Sequence, residues 1–149
     1  MADNSKREQI ILADIALVEM VTGIKTVKRT IPTLAVLDNF AVTQMPVAAV
    51  VGRLPVPKNH FAKRDGQVDF IVSNLKVDVY VFFQENESMD SELSSLLDDM
   101  WVAAYTDPKR GGLTMNTWLE CNELPEWLSP YYAFQITINH QYQHLPGGI

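Results

Sequence analysis

The chain contains one cysteine, Cys121, so no internal disulfide can form and nothing in it requires an oxidising compartment. A lone free cysteine of this kind is expected as a small, partly buried side chain. Positive charge is also short: 12 Lys and Arg stand against 18 Asp and Glu, a formal −6 with a pI near 4.9. Broad non-specific attachment to nucleic acid or to an anionic membrane needs clustered cations, and that balance argues against it. No apolar run is long enough to span a bilayer, because Asp14 and Glu19 interrupt the stretch from Ile10 to Val21. Met1 to Glu8 has no apolar core of signal type, so the product is expected to stay where it is made, without a membrane partner. Asn86-Glu-Ser88 spells a glycosylation sequon that means nothing without secretion.

Catalytic signatures are missing as well. Gly111-Gly112 is neither a phosphate loop nor a dinucleotide fingerprint, both of which need more glycines at set spacing between a strand and a helix. There is no Gly-x-Ser-x-Gly elbow, and Cys121 has no local signature of a nucleophile. His140 and His144 continue a strand, where four residues span about 13 Å, too far for one metal ion, and are expected as surface or edge histidines. Asp98-Asp99 falls on the polar stripe of a helix, where solvation explains it. Glu120, Glu123 and Glu126 border Trp118 and Trp127 and could flank a contact surface. No cofactor, metal site or enzymatic activity is expected.

What the chain does have is a clear change of period between Asn74 and Tyr105. Leu75, Val77, Val79, Val81 and Phe83 alternate with Asn74, Lys76 and Asp78, the pattern of a strand with one buried face. Tyr80 and Phe82 then put aromatic surface on the polar side, so a second layer or a second subunit must cover that end. After Gln84 to Ser88, with Ser88 or Asp90 as cap, the period becomes 3.6. Met89, Leu93, Leu96, Met100 and Ala104 form one stripe, with Ser91, Ser94, Ser95, Asp98 and Asp99 opposite. Trp101 to Tyr105 is apolar all round, which leaves Val102 and Tyr105 in need of cover.

Upstream, Ser5-Lys-Arg-Glu8 has the spacing of a capping box and predicts a helix from Lys6 to about Thr22, stopped by Gly23 in the left-handed conformation. Ile10, Ala13, Leu17, Met20, Val21 and Ile24 make one apolar face of it, and Ile11, Ile15 and Val18 a second. Glu8, Gln9, Asp14 and Glu19 remain as polar relief, so this helix must be sandwiched, either by other copies or by the Thr33 to Phe40 segment. Lys25 to Ile31 reads as an edge strand and Pro46 to Leu54 as a strand buried on both faces. Residues 53–67, with Pro55, Pro57 and the turn dipeptide Asp65-Gly66, read as a long loop. Asp107-Pro-Lys-Arg-Gly-Gly-Leu113 stops the second helix, strands follow over Leu113 to Leu124 and from Tyr131 toward Tyr142, and residues 145–149 form a loose tail.

These parts amount to a single α+β domain over residues 1–149, with a mostly antiparallel sheet of about four to six strands packed against two main helices. Their order resembles the tail terminator and neck proteins of long-tailed bacteriophages. The likeness lies in a buried first helix, a sheet with a long excursion, a strand leading into a second helix, the Asp107 to Leu113 junction, and closing strands that end in Gln141-Tyr-Gln-His144. The resemblance implies a structural virion protein: a ring, usually of six copies, that caps the tail tube, ends its polymerisation and joins it to the head connector. Its implied partners are further copies of itself, the tail tube protein, the head connector or stopper protein, and a sheath protein. DNA is met only in passage through the hole, and assembly takes place in the host cytoplasm.

On this reading the interface side chains are Ile11, Ile15 and Val18 on the first helix, with Tyr80 and Phe82 at the strand end and Val102 and Tyr105 on the second helix. Lys58, His60, Phe61, Lys63, Arg64, Lys109 and Arg110 join them in loops, as contacts and ion-pairing groups for neighbouring rings. Two alternatives stay open. One is a connector stopper or tail-completion protein of the same neck. The other is a small ligand-binding or catalytic domain, with a pocket between helix and sheet lined by Trp101, Tyr105 and Trp118.

Overall fold

A computed structural model describes residues 5–39, 45–62, 65–84, 89–123 and 131–146. The elements run α1 (Lys6–Glu19), β1 (Thr26–Lys28), α2 (Leu34–Asp38), β2 (Val47–Gly52), β3 (Val56–Ala62), β4 (Val68–Gln84), α3 (Met89–Thr106), β5 (Asn116–Glu123) and β6 (Tyr131–His144). The fold is α+β, with three helices and a mixed six-stranded sheet. Across the sheet the order is β1-β2-β4-β6-β5, with β3 also on β4. Among the described residues only the β1–β2 pair is parallel.

The long strand β4 pairs with β6 from Ile71↔His144 to Gln84↔Tyr131 and sets the register of everything else. Leu75, Val77, Val79, Val81 and Phe83 all point into one core, where they meet Phe134, Ile136 and Ile138 of β6. α1 contributes Ile10, Ile11 and Val18 to that core, and α3 contributes Leu96 and Met100. The amphipathic stripes thus lie on the sheet as their periods require.

On the opposite sheet face, Val47, Ala49, Phe82, Tyr131 and Ala133 form a second, smaller core beneath Leu37 of α2 and Met45. Thr33 caps α2, its hydroxyl accepting from the Val36 amide at 3.3 Å, and Tyr131 ties it down by donating to Asp38 at 2.6 Å. The aromatic end of β4 is therefore covered from within the chain. Phe82 is fully buried and Tyr80 half-buried. Of the Thr33 to Phe40 segment, one of the two covers considered for the first helix, the described part covers this face instead; Phe40 itself lies outside the described residues.

Within the expected long loop at 53–67, Val56–Ala62 is a strand. β2 and β3 run consecutively along the same side of β4: Val47↔Phe82 through Gly52↔Val77, then Val56↔Asn74 through Ala62↔Val68. Arg53 continues the ladder by donating its amide to Lys76 O at 2.9 Å. Pro55 and Pro57 cannot donate, so the ladder breaks and shifts register near them instead of ending. The turn does contain Asp65 and Gly66 as expected, with Gly66 at φ +85° and Asp65 Oδ1 accepting from the Gln67 amide at 3.0 Å. The outcome is one long, bent hairpin whose distal half, β3 and the start of β4, forms an arm exposed along all of β3.

Helix α1 stops at Glu19, short of Thr22, and Gly23 does not take the left-handed conformation expected of it. Gly23 matters through its missing side chain, since a Cβ there would stand 2.6 Å from Leu96 Cδ2 on α3. After α3 it is Arg110, at φ +49°, with Gly111 at +66° and Gly112 at +92°, that turns the backbone. β1 and β5 are shorter than their predicted runs. Gln84 begins and Ser88 ends a run whose residues 85–88 fall outside the described residues, as do the turn at 125–130 and the tail from 147.

Candidate interaction surfaces

The interior holds a polar group that the sequence reading scattered over the surface. Asp14, on the same stripe of α1 as Ile10 and Val18, has no exposed area. Arg110 donates Nε to Asp14 Oδ1 at 2.7 Å and donates Nη1 to the carbonyls of Ala104 and Asp107, each at 2.7 Å. His140 places Nε2 2.6 Å from Asp14 Oδ2 and Nδ1 2.8 Å from Thr117 Oγ1. An acceptor carboxylate at Nε2 places a proton on that nitrogen, while Thr117 Oγ1, whose own proton goes to the Pro108 carbonyl, holds the other side of the ring. One cluster thereby joins α1, the end of α3, the turn after it, β5 and β6. Each partner was expected elsewhere: Asp14 as solvated relief, Arg110 as a free loop cation, His140 at the surface. His144 is buried too, its Nε2 2.8 Å from Ser73 Oγ.

A second cluster lies on the other sheet face. Asp78 accepts two bonds from Arg53, at 2.6 and 2.9 Å, and one each from Gln135 Nε2 and Thr137 Oγ1 at 2.8 Å. Burial pushes the Asp78 carboxyl up, but the hydrogen bonds from Arg53, Thr137 and Gln135 outweigh it, and the net direction is down from the ordinary 3.8. Asp78 is thus an ionised, fully partnered group that pins Arg53 at the point where β2 passes into β3.

Between helices and sheet is an apolar void of about 10 Å³, room for roughly one water, walled by Leu17, Val21, Met100, Ala103 and Ile138 among others. Trp101, Tyr105 and Trp118 do not line it. Trp101 and Tyr105 lie on the outside of α3, where Trp101 Nε1 meets Cys121 Sγ at 3.4 Å and the Tyr105 hydroxyl accepts from the Leu119 amide at 3.2 Å. Cys121 is exposed, against the partly buried position expected for it. Among the described residues, no group of three His, Cys, Asp or Glu side chains is placed to hold a metal ion.

Among the described residues, Leu12, Met20, Ile31, Val36, Met115 and Leu145 are exposed as well, but two groups of exposed apolar side chains stand out by their clustering. The first is the end of α3: Trp101 is 46% exposed, Val102 63% and Tyr105 43%, with Asp98 one turn earlier on the same stripe. The second is the arm, where Leu54, Val56, Phe61 and Val68 are exposed and Phe61 stacks on Phe70 with centroids 4.5 Å apart. On the arm a concavity of about 340 Å³ is lined by Pro57, Lys58, Asn59, His60, Val68 and Ile71. The surfaces lie toward opposite edges of the sheet, since β3 flanks β4 on the β2 side while α3's end contacts β5 beyond β6.

Compared with known proteins, the chain matches no family model and no curated sequence.

Of the side chains expected at interfaces, Lys58, His60, Phe61, Val102, Tyr105 and Lys109 are exposed, and Ile15 and Tyr80 are partly buried. Ile11, Val18, Phe82 and Arg110 are interior and correct the expectation: the sheet, α2 and Asp14 already occupy them. Lys63 and Arg64 lie outside the described residues. The surfaces that sequence reasoning missed are Leu54 with Val56, and Trp101 as an exposed group. A signal for the first pair existed in the apolar residues flanking Pro55, which reading the stretch as a loop discarded.

Proposed function

We propose that the protein is a structural subunit of a phage neck, forming a ring that caps the tail tube, ends tube growth and joins the tube to the head connector while DNA passes through. It works by covering surfaces and not by catalysis. The observation that carries this reading is a pair of exposed apolar clusters set toward opposite edges of the sheet, outside its two cores. Clustered exposed apolar side chains suit association sites, and two different clusters on one chain suit a repeating head-to-tail assembly. The chain's order of elements, with a first helix on the sheet, a strand leading into α3 and two closing antiparallel strands, supports the likeness to tail terminators. Its acidic balance of −6 per copy suits a passage that must not hold DNA, by like-charge repulsion.

Native mass spectrometry of the purified chain is expected to give a closed oligomer, alone or on addition of tube ends. Electron micrographs of particles made without it are expected to show overlong or headless tails. Tails of normal length, joined to heads, would overturn the reading. Cross-linking to connector but not to tube would favour the stopper or completion role in the same neck.

A further inference from the structure

We propose that successive copies join through these two surfaces, the exposed end of α3 on one copy seating in the concavity of the β3–β4 arm on the next. The proposal rests on the ring reading above and specifies the joint.

The two surfaces face opposite edges of one sheet, separated by the three strand steps β3-β4-β6-β5, on the order of 14 Å. A chain therefore cannot bring its own α3 end to its own arm, whereas a neighbour can. A contact between unlike surfaces leaves one of each free after every addition, so it propagates, and it closes into a ring where the rotation between copies closes.

Shape and charge match as well. Trp101 and Val102 stand out from the helix, and the arm offers about 340 Å³ of concavity with Val68 and Ile71 in its lining. Asp98 lies three and four residues before them, on the same side of α3, and is exposed. The concavity presents Lys58 and His60, and Lys58 makes no ion pair among the described residues. In a chain of net −6, a hollow that carries the cation Lys58 is a place where an acidic, apolar helix end meets attraction and not repulsion.

Charge exchange tests this directly. Lys58→Glu and Asp98→Lys alter exposed side chains, so both variants should keep the wild-type circular dichroism spectrum. Each alone is expected to weaken self-association at least about tenfold by sedimentation. Mixed in equal amounts they should recover it, in strict alternation visible as even-numbered masses of 1:1 composition, because every joint then pairs opposite charges. Cys121, beside Trp101, reports the same contact: its alkylation should slow as the wild type assembles.

Rings that form equally well from either variant, with Cys121 still reactive, would overturn this joint and leave the ring reading standing. Shielding of Cys121 only by added tube or connector protein would overturn it in favour of a docking surface for that partner. A wild type that stays monomeric up to roughly 0.1 mM, alone and with tube ends, would overturn joint and ring together.

Discussion

Removing the Asp14 carboxylate would leave a guanidinium and an imidazole buried side by side with no opposite charge. Asp14 and Arg110 side chains are 0% and 1% exposed, so water cannot take over. Breaking such a pair by deleting one partner costs about 3–5 kcal/mol, whereas replacing both by apolar groups is often near neutral. Asp14→Ala is therefore expected to lower the urea midpoint sharply, and Asp14→Leu combined with Arg110→Met to recover much of the loss, read as a double-mutant cycle. Asp78 makes a pH prediction. Its carboxyl is held below the ordinary 3.8, so its contribution is complete above that value and is lost as pH falls through the lower, folded value. The stability gap between wild type and Asp78→Asn should stay constant from neutral pH to about pH 5 and shrink below pH 4, measured by denaturation at each pH. At this scale the sequence was legible in part. His140 and His144 fall in phase with Phe134, Ile136 and Ile138, and Asp14 in phase with Ile10 and Val18, so periodicity placed them inside while their polarity argued for the surface.

For whole elements, Gly52 shows how closely α1 lies on the sheet. A Cβ there would overlap the end of Ile11, so Gly52→Ala must push α1 away or force Ile11 off its rotamer. A loss of about 1–3 kcal/mol is expected, and Ile11→Val beside it should return part of that loss in the same denaturation assay. Strand β4 and helix α3 were readable because each has a long single-period stripe. β3 was not, because Pro55 and Pro57 are usually breakers, and only a partner strand already in place lets a proline-bearing segment continue along it. Nor was α2 readable as a cover. Its five residues carry too little pattern, and Leu37 gains meaning only through Phe82 and Tyr131, which arrive from distant parts of the chain.

Over the whole molecule, the sheet order decides what is inside and what is left over. The apolar surface on α1 and at the aromatic end of β4 is largely absorbed by the two cores. The surplus on α3 is not, and the arm adds another. By itself the sequence determined the period of β4, β6, α1 and α3, the turn at Gly66, the stop after α3 and the α+β class. All of these follow from neighbours within a few residues, through backbone sterics and the alternation of apolar side chains. Only the tertiary structure decided that Asp14, Arg110 and His140 share one buried site, that Phe82 is covered, and that Trp101 and the arm face outward on opposite edges. Burial is settled by which strands become neighbours, and that pairing joins residues as far apart as Asp14 and His140, beyond the reach of any local pattern.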